Sequence, residues 1–292
     1  MTRLGGAAGG AVGSETRLME PSFYETYYHH ENNHWWFRWR YELITGLVRS
    51  LHLSPECRIL DAGCGTGQML RHLCNFGRAV GVDSSPEAIH FAASRDVDRL
   101  VLGSIFDLPF APESFDCVLS LDVIEHVDDD RQLVRHLYSV VKPGGYVIVT
   151  VPAFQSLWSE HDEVNWHKRR YRSNQLEHLL KETGLEIERI TYCNTALFVP
   201  ILAARKLKNL KNRLWPRRVE NDVPGSDLNE LPKPLNEGLF HLMQAERRFM
   251  TRRNLPFGVS LLAIGRKPLA AHVPGPAPAP DSGGDDLAVA AD

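Results

Sequence analysis

Three glycines at alternate positions, Gly63, Gly65 and Gly67, follow Asp61 at the end of a short apolar run. Glycine lets the chain turn sharply and leaves bare backbone against which a ligand can lie. A second carboxylate, Asp83, ends the next apolar run and can accept the hydrogen bonds of both ribose hydroxyls. The spacing is GxGxG rather than GxGxxG, and no GK[ST] follows that would hold a phosphate. We therefore predict a site for a ligand with an unphosphorylated ribose.

Histidines that can move a proton lie in two later segments. His126 lies four residues after Asp122, so the two share one face if that turn is helical. His126 can then take a proton from a substrate, or the polar residues here only hydrogen-bond the turn. His161 and His167 are the other two candidates for such catalysis.

The second histidine segment, within 153–172, combines cations, carboxylates and tryptophans. Two histidines with carboxylates can bind a metal, but their spacing matches no standard site, and we predict none. We interpret the segment as a substrate-facing loop. Arg169 or Arg170 would bind an anionic group, and Trp158 or Trp166 would stack on a ring or sugar.

Short apolar strands alternate with short helices and must position these residues. The predicted strands are 57–60, 79–83, 99–103, 115–121 and 146–151, with two more at 185–193 and 258–267. This rhythm is typical of an α/β fold, in which helices cover both faces of a mostly parallel sheet. Ligands of such sheets bind beyond the carboxyl ends of the strands, where Asp61 and Asp83 both lie.

Composition divides the chain into one domain and two tails. Residues 1–18 are rich in glycine and alanine, and 268–292 in proline, alanine and aspartate, so both are predicted to be disordered. The net charge is −3, and the acidic excess lies in 268–292 while 19–267 is neutral, which argues against a nucleic-acid partner. Scattered cysteines and short apolar runs predict a cytoplasmic protein.

A basic amphipathic stretch, 198–218, adjoins an apolar run. Such a stretch can contact anionic lipid at the inner membrane face or bind a lipid-linked substrate. A solvated helix face is the alternative, and it is slightly favoured.

Four blocks, ILDAGCGTG, GVDSS, LPFAPESFDCVLSLDVIEHV and VVKPGGYVIVTVPAF, resemble the class I S-adenosylmethionine-dependent methyltransferases in order and spacing. Three further stretches, at 34–44, 158–171 and 255–267, resemble a bacterial subgroup with type 11/12-like domains. The resemblance implies a Rossmann-like seven-stranded sheet with an antiparallel last strand, and S-adenosylmethionine as cofactor. Within the predicted domain, 19–267, we distinguish a cofactor-binding core at 57–151, an acceptor loop at 153–172 and a helical insertion at 195–251. A run of aromatic residues that includes Trp35, Trp36 and Trp39 marks 34–52 as a helix packed on the sheet edge or as a lid over the cofactor.

The resemblance also implies roles for cofactor-binding residues. Gly63 and Gly65 would lie against the amino-acid and ribose parts, Asp61 would face the amino group, and Asp83 would hold the ribose. The backbone of Ser104 and Ile105 would bracket the adenine, and the Leu121 carbonyl would lie near the methionine part. Ser104 replaces the commoner aspartate, and its neutral hydroxyl should bind the adenine amino group more weakly.

The implied activity is methyl transfer to a small-molecule, glycan or lipid-linked acceptor, with oxygen preferred as the acceptor atom. One alternative is a regulatory or scaffold protein that binds S-adenosylmethionine without turnover. Another is a nicotinamide-dependent oxidoreductase, which the glycine spacing disfavours.

Overall fold

The fold was obtained as a computed structural model that describes residues 21–214 and 231–269. The predicted tail 1–18, nearly all of the tail 268–292, and residues 215–218 of the basic stretch lie outside the described residues. No helix in the described ranges is long and apolar enough to cross a bilayer.

The described residues build one seven-stranded sheet in the order β3-β2-β1-β4-β5-β7-β6. The strands are β1 (Arg58–Ala62), β2 (Arg78–Asp83), β3 (Leu100–Leu102), β4 (Phe115–Leu121), β5 (Val141–Pro152), β6 (Glu186–Cys193) and β7 (Ser260–Arg266). Strands β1 to β5 pair in parallel, and β7 inserts antiparallel between β5 and β6. The predicted Rossmann-like sheet with an antiparallel last strand is confirmed.

Helices cover both faces of the sheet. They are α1 (Pro21–His30), α2 (Trp35–Ser50), α3 (Gln68–Leu73), α4 (Pro86–Ala93), α5 (Asp130–Val140), α6 (Glu160–Val164), α7 (Ser173–Lys181), α8 (Phe198–Leu214) and α9 (Lys233–Met250). Side chains alternate along each strand, so neighbouring residues enter different cores. Val118 belongs to the core with Leu133 of α5, while Leu119 belongs to the core with Ile44 of α2 and Met243 of α9.

A local sequence signal sets the start of α4. Ser85 caps α4 as predicted, because its hydroxyl accepts the backbone N–H of Ala88 at 3.1 Å.

Strand β5 begins at Val141 and not, as predicted, at 146, although Pro143 and two glycines lie between these two positions. The first residues of β5 are paired with a distant segment: the N–H of Gly144 donates to the carbonyl of Lys267, and the N–H of Lys267 donates to the carbonyl of Gly145.

The turn after β4 is not an α-helix, so Asp122 and His126 do not share a helical face. The chain forms only a 3-10 turn, Ile124–His126, and Asp122 lies before it with φ of +56°. Left-handed φ at a non-glycine residue is costly, and here it tips the chain out of the strand. Both side chains nevertheless line the same cavity.

Candidate active site

A cavity of about 330 Å³ lies beyond the carboxyl ends of β1, β2 and β4. The glycine-rich turn forms its floor. Gly65 has φ of +53°, and a Cβ added there would meet no atom within 4 Å, so this backbone faces open space. Gly63 has φ of +86°, and a Cβ there would approach Cγ2 of Val123 to 2.5 Å. The turn therefore needs glycine at Gly63 for packing and at Gly65 for its conformation and for the bare surface.

Asp83 is buried and fastened to this turn. Its Oδ2 accepts the N–H of Gly65 at 2.8 Å, and its Oδ1 accepts the N–H of Ser85 at 2.9 Å. Burial raises the pKa of Asp83, and these backbone hydrogen bonds work against that rise. Each carboxylate oxygen has a second lone pair, so the group can accept further hydrogen bonds from the cavity.

Asp61 also lines the cavity, and its Oδ2 has no hydrogen-bond partner within the described residues. Burial raises the pKa of Asp61 to about 7; the positive charge of Arg40 opposes the rise and the negative charge of Asp83 adds to it. A buried carboxylate oxygen with a free lone pair is a good acceptor for an ammonium group.

The other predicted cofactor residues differ in their placement. Leu121 lines the cavity, and its carbonyl accepts a hydrogen bond from Nη2 of Arg40 at 3.0 Å. Ser104 and Ile105 do not line it: Ile105 is buried in the core, and the Ser104 hydroxyl accepts the N–H of Phe106.

The three predicted histidines lie close to one another and together form one side of the cavity. The ring centroids of His126 and His167 are 4.7 Å apart, and those of His161 and His167 are 6.1 Å apart. Nδ1 of His167 lies 2.9 Å from Oδ1 of Asp162, which Arg170 binds through Nε at 2.6 Å and Nη2 at 3.0 Å. Although burial opposes it, the His167 hydrogen bond and the Arg170 charge hold the pKa of Asp162 well below its usual range.

Glu125 and His126 add buried polar groups to this side. Glu125 is fully buried, and neither of its oxygens has a hydrogen-bond partner in the described ranges; Nδ1 of His126 is in the same state. Burial, aided by the nearby charge of Asp122, raises the pKa of Glu125 well above its usual value. Burial and the neighbouring His167 lower the pKa of His126 to about 3, so that ring is neutral.

The predicted substrate-binding residues are not brought together. Arg170 lines the cavity, but its guanidinium is bound to Asp162 and to the carbonyl of Ala153. Arg169 does not line it and instead binds Asp130 at 2.9 Å. Trp158 also lies outside the lining, with its Nε1 3.4 Å from Oε1 of Glu163.

Sequence reasoning missed several charged residues in the N-terminal wall. Arg40 lines the cavity and pairs with Asp122 at 2.8 Å. Glu31 is bound to Arg95 at 2.6 Å, and Arg95 Nε also donates to the carbonyl of Thr66 in the glycine-rich turn. The run of aromatic residues at 35–41 signalled a covering segment, but no local pattern singled out these charges.

A family model described as a methyltransferase domain matches residues 60–149, the stretch from β1 to β5. A probable S-adenosylmethionine-dependent methyltransferase of Mycolicibacterium smegmatis is 30% identical over 158 residues, which are 53% of this chain and 60% of that one. The chain thus spans less than two thirds of this curated relative. Other relatives are named for sterol, nitrogen and oxygen methylation.

Solved structures share the fold at low identity. The phosphoethanolamine N-methyltransferase 2 of Haemonchus contortus, solved with S-adenosyl-L-methionine, is 21% identical with a TM-score of 0.51, over 78% of this chain and 52% of that chain. The [4+2]-cyclase SpnF is 20% identical with a TM-score of 0.51, over 77% of this chain and 80% of that chain. Residues 60–149 therefore form a methyltransferase domain, and the glycine-rich turn and the sheet order agree with the class I S-adenosylmethionine-dependent methyltransferases that this chain resembles.

Proposed function

We propose that this chain transfers a methyl group from S-adenosylmethionine to an oxygen of a small-molecule, glycan or lipid-linked acceptor. The observation that carries the proposal is that one cavity joins a glycine and carboxylate side to a histidine side. The cofactor, when bound, supplies a methyl group on a positively charged sulfur. The chain has to hold that group in line with an acceptor lone pair and keep water away.

The donor side fits this cofactor. Asp83 would accept the ribose hydroxyls with the lone pairs that its backbone hydrogen bonds leave free. The unpartnered Oδ2 of Asp61 would accept the ammonium of the amino-acid part, and the bare backbone of Gly63 and Gly65 would lie against the ligand.

The acceptor side has groups that suit an oxygen nucleophile. A hydroxyl must lose its proton before or during attack, and His126, His161 and His167 border the space where it would lie. Trp35 and Trp36 line the same cavity and would exclude water around the reacting atoms. We assign proton removal to this histidine group as a whole.

The position of helix α8 favours a lipid-linked acceptor. Ile201 and Arg205 line the cavity, whereas Val199 and Leu207 of the same helix are 65% and 67% exposed. An exposed apolar side beside a basic stretch can lie on an anionic membrane while the other side meets the substrate. Sedimentation with anionic vesicles tests this contact: salt-sensitive binding supports it, and equal recovery with neutral vesicles contradicts it.

Labelled cofactor tests the activity itself. The chain is incubated with methyl-labelled S-adenosylmethionine and a cell extract, and labelled products are separated by size and polarity. We expect label in a small or lipid-extractable product, and less of it with Asp83→Asn when the cofactor is below saturation. Tight cofactor binding without any transferred label would instead favour the regulatory or scaffold alternative.

A further inference from the structure

Glu125, His126 and His167 line the cavity, and each offers one potential metal-ligating atom. These three atoms lie within 4.8 Å of one another. Two of the residues are consecutive, whereas His167 comes from the segment after α6. The segment 153–172 alone has no standard metal-binding spacing, whereas this set joins residues from two segments.

The burial of the set calls for a binding partner. Glu125 is fully buried, and within the described residues both of its oxygens and Nδ1 of His126 lack any hydrogen bond. Leaving a buried polar group unpaired costs about 1–3 kcal/mol, and more for a charged one. Three unpaired atoms in one place are therefore expensive, unless a cation occupies the space between them.

The third residue is already oriented for such a cation. The contact between Nδ1 of His167 and Asp162 leaves Nε2 of that ring for a second partner. Arg170 holds Asp162 in turn through two hydrogen bonds. A carboxylate behind a histidine is the usual support of a metal-ligating imidazole, since it fixes the tautomer and the ring plane.

We propose that Glu125, His126 and His167 bind one divalent transition-metal ion of the Zn²⁺, Mn²⁺ or Fe²⁺ class. Two imidazoles and one carboxylate suit these ions better than Ca²⁺ or Mg²⁺, which prefer oxygen ligands. Three protein ligands leave a coordination position open, as in catalytic rather than structural sites.

The role of the ion rests on the proposed function. An acceptor hydroxyl in the open position would have its pKa lowered by the ion, and His161, the histidine of this group that is not a metal ligand, would take its proton. The oxygen lone pair then forms a bond to the methyl carbon while the carbon–sulfur bond breaks. The sulfur keeps that electron pair and becomes a neutral thioether, and the acceptor becomes a methyl ether.

Metal binding is measured on the full chain without reference to turnover. Chelator-treated protein is titrated with ZnCl₂, MnCl₂ and CoCl₂ by calorimetry, with visible absorption as a second readout for Co²⁺. We expect one ion per chain. Glu125→Gln and His167→Asn should each weaken binding at least about 100-fold, because loss of a mere supporting group already costs 10–100-fold.

His161→Asn is the matched control, since this histidine lines the same cavity but does not belong to the three-residue set. It should keep the stoichiometry, and circular dichroism checks that every variant folds. Absence of saturable binding by any of the three ions, or equal weakening in His161→Asn, would overturn the proposal.

Methyl transfer assays separate the two proposals. Unchanged transfer by metal-free protein overturns the proposed role of the ion and leaves the methyltransferase proposal standing. Stoichiometric metal with no transfer to any acceptor rejects the activity and supports the site.

Discussion

At the scale of single residues, Asp83 has two roles, because one carboxylate both fastens Gly65 and faces the cavity. We expect Asp83→Asn to weaken S-adenosylmethionine binding about 10- to 150-fold, which corresponds to the roughly 1.5–3 kcal/mol of hydrogen bonds to a charged group. Calorimetry measures the affinity. Asp98→Asn, an exposed site with the same charge change, should bind as the wild type does. Equal affinity in both variants would remove Asp83 from the site.

Asp61 makes cofactor affinity depend on pH. Its pKa in the folded chain is about 7 rather than 3.8, so below neutral pH it is protonated and cannot attract an ammonium group. Cofactor binding should then release a proton below pH 7. The affinity for S-adenosylmethionine should rise with pH in that range, by at most about tenfold per pH unit. Titrations from pH 5.5 to 7.5 measure this slope, and Asp61→Asn should flatten it.

The same shift has a consequence for stability. A folded-state pKa above the unfolded value means that protonation favours the folded chain. The contribution is full below pH 3.8 and is lost as pH rises through about 7. Asp61→Asn should therefore narrow the decline in unfolding free energy between pH 4 and 7, and an unaltered profile would contradict the shift.

At the scale of elements, two glycines of the glycine-rich turn should contribute differently to stability and to cofactor binding. Both Gly63→Ala and Gly65→Ala pay for a left-handed φ, at about 1 kcal/mol. Only Gly63→Ala also forces Cβ against Val123, which adds roughly 1–3 kcal/mol of overpacking. We expect Gly63→Ala to lower the unfolding free energy more, and Gly65→Ala to lose cofactor affinity with a smaller change in stability. Urea unfolding and calorimetry distinguish them, and the reverse order would refute the assignment.

Elements with strong local signals were predictable, and elements that depend on distant partners were not. Strand β4 begins and ends where its apolar residues do, and the Ser85 cap sets the start of α4. The predicted beginning of β5 was wrong, because Lys267, far along the chain, supplies hydrogen bonds that no local pattern reveals. Likewise, the left-handed Asp122 was invisible to a helical-face argument.

At the scale of the whole molecule, the cofactor should stabilise the fold. A ligand at 100 times its Kd adds about 2.7 kcal/mol, or a Tm rise of about 5–10 °C for a chain of this size. Thermal unfolding with S-adenosylmethionine should show that rise and NAD should not. A rise with NAD alone would favour the oxidoreductase alternative.

Asp61 and Asp83 line one cavity with the glycine-rich turn because they end adjacent strands, so their proximity could be predicted from the sequence. Ser104 and Ile105, also predicted for the cofactor, do not line that cavity. The rest of the cavity wall is not local: Trp35 N–H donates to the side chain of Asn236, and Arg205 donates to the carbonyl of Leu157. Sequence patterns indicate which histidines could move a proton, but only the fold brings His126 and His167 into contact on one side of the cavity.

The position of β7 bears on how a ribosome-bound chain can fold. Strand β6 ends at Cys193 and pairs only with β7 among the described strands, and β7 begins at Ser260. Until that last strand emerges, the nascent polypeptide exposes one edge of β5 and leaves β6 unpaired, and such edges invite aggregation. Shortening the chain before Ser260 should therefore yield insoluble material rather than a smaller working enzyme.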